Sequence, residues 1–431
     1  PLNSDMEMIG GKIMRKFLAI ALASALTLSM ASGCKKVDEG SPAPDVGSAP
    51  AGDAAAPAAD TSAPADNAAS GDVIKIGVFE PQTGENGGGG LQEVYGIRYA
   101  NQMFPTVNIG GKEYKIELVE ADNKSDKTEA VTAAQSLISA GCSVVLGSYG
   151  SGVSIAAGEI FADAQVPAIG CSCTNPQVTL GNDYYFRVCF IDPFQGTVMA
   201  NYAAQDGAKT AAIITQLGDD YSSGLGNFFK NAFVELVGEG SIVAEEQFQT
   251  NQTDFKAILT NIKAANPDVI FAPSSIATAP LIIKQARELG ITAKIMAGDT
   301  WENGSIIENA GADAEGVTLS TFFDEGDTSN QVAAEFITGF KEYLTSIGQD
   351  DIIPAVSALG YDAYLAAIKA IEAAGSTEPA AIRDALSTLS YEGVTGAISF
   401  DENGDANKDM AFIKVIENGQ FKFLKTVTLG E

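Results

Sequence analysis

Apolar and polar positions change rhythm three times along the chain. Phe17–Met30 is an unbroken, mostly apolar run of 14 residues. Ser41–Gly71 has no period at all. From Val73 the pattern becomes regular. Val73–Val78, Ile116–Val119, Ser143–Leu146 and Pro167–Ile169 are short apolar segments that predict strands. Gln92–Met103, Thr128–Ile138 and Ser154–Ala164 have helical spacing and fall between them. The alternation restarts after Asp192. Strands are predicted at Ala211–Thr215, Ile242–Glu246, Val269–Ala272 and Lys294–Ala297. Helices are predicted at Phe194–Gln205, Ser222–Val237, Asp254–Ala265 and Ala277–Leu289. A helix-rich stretch follows, Val332–Ile347, Pro354–Ala374 and Pro379–Leu389. Asn418-Gly419 between Ala411–Ile416 and Phe421–Thr428 is a two-residue hairpin signal. Strands alternating with helices predict an α/β fold of two doubly wound parallel-sheet lobes.

The first 72 residues read as an address and a tether. Arg15-Lys16, the apolar run and small residues before Cys34 have the order of a secretory signal. The run is shorter than the roughly 20 residues a membrane-spanning helix needs. Met14 is the expected start, with the residues before it an upstream extension. Residues 1–33 are then the signal segment and 34–72 a lipidated cysteine with its linker. Ala31-Ser-Gly-Cys34 resembles a bacterial lipoprotein box, which makes Cys34 the expected lipid attachment site; ordinary signal cleavage beside an unrelated Cys is the other reading. Ser41–Gly71 holds 12 Ala, 5 Pro and 4 Asp, with no Lys, Arg or aromatic residue. Such a stretch buries too little apolar surface to offset its ordering entropy. The expected localisation is export, with the folded body lipid-anchored to the bacterial cell membrane and facing the periplasm or the exterior.

Composition narrows the chemistry. The 431 residues suggest two or three domains, and the 45 % hydrophobic content supports sizeable cores. Lys and Arg number 26 against 55 Asp and Glu, a formal charge of -29. No nucleic-acid partner is expected, because neutralising phosphates needs clustered cations. There is no histidine. That removes Ser-His-Asp catalysis and every His-ligated metal site. No cofactor or metal is expected.

Ligands of open parallel sheets bind on the loops leaving the carboxyl ends of strands. Gly147-Ser-Tyr-Gly-Ser-Gly152 is such a loop. Its glycines and the helix start behind it suit an anion, with Ser151 adding a hydroxyl; capping by Ser151 or Ser154 explains the same residues. Gly170-Cys-Ser-Cys-Thr-Asn-Pro176 places Ser172 and Thr174 beside backbone amides, or is a polar turn. Asp219 and Asp220 open a helix, followed by Tyr221, a ligand contact or a packing ring. Asp299 follows a strand and either pairs with an ammonium group or caps the next helix. Trp301 lines the site or plugs the lobe. Gly87–Gly90 lacks a dinucleotide spacing and reads as a mobile pocket rim. Asp401–Asp405 imitates a calcium loop, but Ala406 and Phe412 stand where Gly and Glu are needed, so a surface turn is expected. Cys142, Cys171, Cys173 and Cys189 are buried thiols or a bridge, with three possible connectivities.

The order of these loops resembles the type I periplasmic binding proteins of ABC importers, closest to the leucine/isoleucine/valine-binding group. The resemblance runs from Val73 to Glu431. It is carried by Thr83-Gly84, the Ser-bearing loop Gly147–Ser154, Val166-Pro167 with its Ser/Thr turn, Phe186-Arg187, Asp192 and Gln195-Gly196. Asp220-Tyr221-Ser-Ser-Gly224, Gln285-Ala-Arg287, Tyr361-Asp362 and Phe400–Gly404 continue it. The resemblance implies that Ser151, Ser172 (through its backbone) and Thr174 hold an α-carboxylate. It implies that Asp299 pairs with the α-ammonium, that Tyr221 approaches from lobe two, and that Tyr361 sits near the hinge. Residues 73–192 with 323–395 would form lobe one, and 193–322 with 396–431 lobe two. The chain would cross the hinge near Asp192, Phe322 and Gly396. Two aromatic positions of leucine-type binders align with Gly89 and Ser275, which alters the side-chain pocket and leaves the head-group site intact.

The expected function is an extracytoplasmic receptor that captures an amino acid, branched-chain or similar, between closing lobes and delivers it to a membrane ABC permease. The expected state is a monomer without enzymatic activity. A ligand-sensing partner of a signalling receptor, and a binder of an amide or aromatic acid, are the alternatives. A carboxylate-dependent enzyme would need two carboxylates converging in the cleft.

Overall fold

The computed structural model describes residues 72–326 and 331–428; Cys34 and the linker lie outside the described residues. The first sheet has six strands: β1 (Val73–Glu80), β2 (Thr106–Ile109), β3 (Lys112–Asp122), β4 (Val144–Leu146), β5 (Ala168–Gly170) and β6 (Tyr185–Arg187). Their order is β2-β3-β1-β4-β5-β6, parallel except for the β2–β3 hairpin. Helices α1 (Gly87–Met103), α2 (Lys127–Ser139) and α3 (Ser151–Asp163) are the crossovers. The central strands β4 and β5 are short, uncharged and fully buried, as burial on both faces requires; β4 is Val-Val-Leu.

After α4 (Asp192–Gln205) the second sheet begins. It contains β7 (Ala211–Gln216), β8 (Ile242–Phe248), β9 (Val269–Phe271), β10 (Lys294–Ala297) and β11 (Thr318–Thr321). Between them run α5 (Asp220–Val237), α6 (Lys256–Ala265), α7 (Ala279–Glu288) and α8 (Gly304–Ala310). The chain then forms α9 (Gln331–Ser346), α10 (Ala355–Ala374) and α11 (Pro379–Leu386), and a small hairpin, β12 (Ser390–Gly393) and β13 (Gly396–Ser399). It returns to the second sheet as β14 (Met410–Glu417) and β15 (Gln420–Thr428), giving the order β15-β14-β11-β10-β9-β7-β8. Asn418 and Gly419 both have positive φ, as the tight turn between β14 and β15 demands. The edge strand β8 carries Glu245 and Glu246, which discourage further pairing.

The glycine run departs from the expected rim. Gly87–Gly90 is the first turn of α1, and Gly87, Gly89 and Gly90 are buried. A Cβ at Gly90 would collide with the Pro81 carbonyl, and one at Gly89 would fall on the Tyr149 ring. These glycines permit close approach of a helix to two loops.

One knot ties the ligand-facing loop of the first sheet to the returning chain. Arg187 is fully buried. Its Nε donates to Asp405 Oδ1 at 2.6 Å, its Nη1 to the carbonyls of Cys173 (2.7 Å) and Asn175 (2.6 Å), and its Nη2 to Thr179 Oγ1 (2.8 Å). The Arg187 N–H also donates to the Gly404 carbonyl. Asp362 on α10 accepts from the backbone N–H of Val394 and Thr395 and so holds the β12–β13 hairpin. The segment 396–405 therefore sits with the first sheet, and the last passage to the second sheet falls between Asp405 and Met410. That is later than the crossing expected near Gly396.

Candidate functional site

A cleft of about 240 Å³ opens where the two sheets face each other. Its lining comes from the carboxyl ends of eight strands. β1 supplies Glu85 and Asn86, β3 Ser125–Lys127, β4 Tyr149–Val153 and β5 Ser172. β7 supplies Gln216, Gly218, Asp219 and Tyr221, β8 Thr250, β9 Ser274 and Ser275, and β10 Asp299 and Thr300. This is the crevice that strand polarity assigns to ligands.

On the first sheet, the loops after β4 and β5 offer donors. Gly150, at φ 108, is the N-cap of α3 and makes no side-chain cap. Ser151 is the first residue of that helix, so the capping role is not the one its side chain plays. Its Oγ accepts the Asn175 N–H at 3.1 Å, which leaves its own O–H to donate. The Ser172 hydroxyl is committed to Glu93, so what Ser172 has left for a ligand is its backbone N–H. Thr174 is fully buried and its Oγ1 makes no hydrogen bond of ordinary geometry. Thr174 lies one layer behind the cleft surface that Ser151 and Ser172 line.

Beneath these loops lies a carboxyl pair. Glu80 accepts the Tyr149 N–H at 2.6 Å, and Glu93 takes the Ser172 hydroxyl. Burial pushes Glu80 up to about 8, and burial plus the Glu80 charge pushes Glu93 well up, so the pair holds a proton between them. Glu80, Glu93 and the Cys171 thiol come within 4.8 Å of one another, the one such metal-ligand grouping among the described residues. Burial disfavours the charged form of all three, the opposite of what a cation requires.

The second-sheet half is built around one carboxylate. Asp299 is 3 % exposed. It starts a short 3-10 turn, Asp299–Trp301, and the cap of α8 is Asn303, so Asp299 is not a helix cap. Its Oδ1 accepts Gln195 Nε2 at 2.5 Å and the Tyr221 hydroxyl at 3.0 Å. Any side chain at Gly298 would strike Tyr221 Oη and Gln195 Oε1, so glycine there lets both close on Asp299. Burial, then the nearby Asp192 carboxyl, holds Asp299 well above the usual carboxylate range. Burial raises Asp192 itself to about 7.

The rim is closed by bonds between the two halves. Gln216 Nε2 donates to Glu85 at 3.1 and 3.2 Å, Tyr149 Oη to the Thr300 carbonyl at 3.3 Å, and the Ile276 N–H to Asn86 Oδ1 at 3.1 Å. Lys127 pairs with Asp220 at 2.7 Å and donates to the Gly218 carbonyl at 3.0 Å. Asp219 caps α5 through the Ser222 N–H.

Other residues singled out by sequence lie elsewhere. Tyr361 packs in an aromatic cluster with Tyr99, Phe104 and Phe336 and is absent from the cleft lining. Ser275 lines the cleft, with its Oγ 3.0 Å from Thr278 Oγ1. Trp301 is fully buried and plugs the lobe; its Nε1 donates to the Ser274 carbonyl at 3.1 Å. Cys142, Cys171, Cys173 and Cys189 are all free and buried. Asp401 turns its own loop by accepting the N–H of Asn403 and Asp405. Glu85, Asn86, Lys127, Tyr149, Gln216 and Thr250 line the cleft without having been singled out by sequence. Tyr149, inside the glycine-rich loop, had a readable signal; Lys127 and Thr250 had none.

Comparison with known proteins follows the same lines. Residues 73–420 match the family model described as periplasmic binding protein. A leucine-binding protein from Thermotoga maritima is 37 % identical, with TM-score 0.77, over 83 % of this chain and 99 % of that one. A branched-chain amino acid transporter substrate-binding protein from Streptococcus pneumoniae, solved in complex with isoleucine, is 30 % identical with TM-score 0.74, over 83 % and 99 % of the chains. A Leu/Ile/Val-binding protein homolog from Brucella melitensis is 28 % identical over 78 % of this chain and 88 % of its own. By fold, by the position of its cleft and by these matches, the chain belongs to the periplasmic binding protein family.

Proposed function

We propose that this chain captures an α-amino acid in the cleft and hands it to the membrane permease of an ABC importer. The observation that carries this reading is the split of the site. Neutral donors, Ser151 and the Ser172 backbone, with Thr174 buried behind them, stand on one half, and the carboxylate of Asp299 with Tyr221 stands on the other. A zwitterion laid between them satisfies both halves without leaving a buried charge unpaired. The names of the relatives, which are leucine-type and branched-chain binders, support the same head group. The lobes close about the chain passages between the sheets. The proposed lobes are residues 73–192 with 323–395 and 193–322 with 396–431, except that 396–405 joins the first, and Tyr361 supports that lobe from behind the cleft. Ser275 shapes the side-chain end. In this reading the receptor works as a monomer and is held at the membrane by a lipid on Cys34.

The test is a thermal-shift screen of the purified protein, unfolded and refolded to strip bound ligand, against all amino acids, amides and aromatic acids. A ligand at about 100 times its dissociation constant stabilises the fold by about 2.7 kcal/mol. A hit among amino acids is expected. A hit confined to acids that lack an amino group would discard the role given to Asp299.

A further inference from the structure

Besides Asp299, the cleft is lined by further polar groups that accept hydrogen bonds. Glu85 is half-buried, and Gln216 is 1 % exposed. The Gln216 amide donates to both Glu85 oxygens and to Thr250 Oγ1 at 3.3 Å. The Glu85 carboxylate fixes which end of that amide carries the N–H, so Gln216 Oε1 is an acceptor, buried and without a partner. Asp219 adds a second carboxylate to the lining. Burial, then the Asp219 charge, raises Glu85 above the usual carboxylate range. The one cation among the described lining residues, Lys127, is already paired with Asp220. Among the described residues, no apolar side chain lines the cleft apart from Val153 and the rings of Tyr149 and Tyr221.

An aliphatic ligand side chain placed here would displace water from Glu85 and leave Gln216 Oε1 unpaired. A side chain ending in N–H groups would satisfy both. We infer that the ligand is an α-amino acid whose side chain ends in N–H donors, recognised by Glu85 and the Gln216 carbonyl. This rests on the amino-acid reading of the head-group site. An amide end and a cationic end share this chemistry, and the titrations below separate them.

The experiment is isothermal titration of the refolded protein with glutamine, asparagine, lysine and arginine, and with leucine, isoleucine and valine. At least one donor-ended amino acid is expected to bind about tenfold or more tightly than any of the three aliphatic ones, the ratio set by one unpaired buried acceptor. Glu85→Gln should then weaken a cationic ligand strongly and an amide ligand by little. The wild-type ranking needs no variant to fold. Leucine, isoleucine or valine binding tighter than all four donor-ended probes would overturn the inference and leave the amino-acid reading intact. Silence from all seven, with a hit outside the amino acids, would overturn both.

Discussion

Replacing Asp299 by Asn should move stability and affinity in opposite directions. In the ligand-free protein the Asp299 carboxyl is buried, faces Asp192 and is held well above its usual range. A carboxyl whose folded value is raised contributes most to stability at low pH and loses that contribution as pH rises through the folded value. At neutral pH the burial of Asp299 is therefore a cost, and a neutral amide of the same shape removes it. Asn keeps an oxygen for Gln195 Nε2 and the Tyr221 hydroxyl, now 2.5 and 3.0 Å from Oδ1. Its N–H₂ group, however, would face the ligand's ammonium. Removing one partner of a buried charged pair costs about 2–5 kcal/mol, a loss of roughly 30-fold to several thousand-fold in affinity. The assays are thermal melting of the stripped protein and isothermal titration with its ligand. Titration in two buffers of different ionisation enthalpy adds a third readout. Because an ammonium lowers the Asp299 value, the wild type should release protons on binding, and the Asp299→Asn variant should not. A variant that melts lower than wild type, yet binds with unchanged affinity and proton release, would refute the assignment.

Arg187→Met leaves two buried carbonyls and the Asp405 carboxylate without their partner, and should lower unfolding free energy by about 3–5 kcal/mol in urea titrations; a loss below about 1 kcal/mol would contradict the knot described above. The Glu80–Glu93 pair should make the protein less stable as pH rises from the ordinary carboxylate range, about 4.3, through about 8. The slope is up to about 1.4 kcal/mol per pH unit for one proton, and Glu80→Gln, which retains an oxygen for the Tyr149 N–H, should flatten it in urea midpoints measured at several pH values. Cys34→Ala should move the protein from the membrane fraction to the soluble extracytoplasmic fraction; continued membrane retention would exclude Cys34 as the anchor.

The long amphipathic helices and the closing hairpin were legible because their periods are carried by neighbouring residues. β6 and β11 were not: Tyr-Phe-Arg and Thr-Leu-Ser-Thr lack the apolar run that marked β4 and β9, and both strands are defined by the partners they meet. The glycine run showed the same limit: its local composition suggests mobility, but Pro81 and Tyr149, brought in by folding, decide its role. Ser151 and Asp299 each fitted a cap and a ligand contact from local sequence. Gly150 and Asn303 hold the N-cap positions of α3 and α8, which rules out the cap reading for both. Tyr361 shows the reverse. Its place in the chain order was readable, but its ring belongs to the aromatic cluster behind the first sheet.

The Arg187 knot has a temporal consequence. The loop that carries Ser172 and Thr174 is clamped by Arg187 at the Cys173 and Asn175 carbonyls, by the Asn175–Ser151 bond and by Glu93, all within the first half of the site. The Asp299, Gln195 and Tyr221 group is likewise complete within the second half. Each half is finished before the other arrives, so a solute can dock on one without waiting for the lobes to meet. Arrival is then a diffusional event, and departure waits on the rim bonds to part. The memory of a capture, measured as residence time, belongs to the hinge and the rim, whereas the choice of what is captured belongs to the loops.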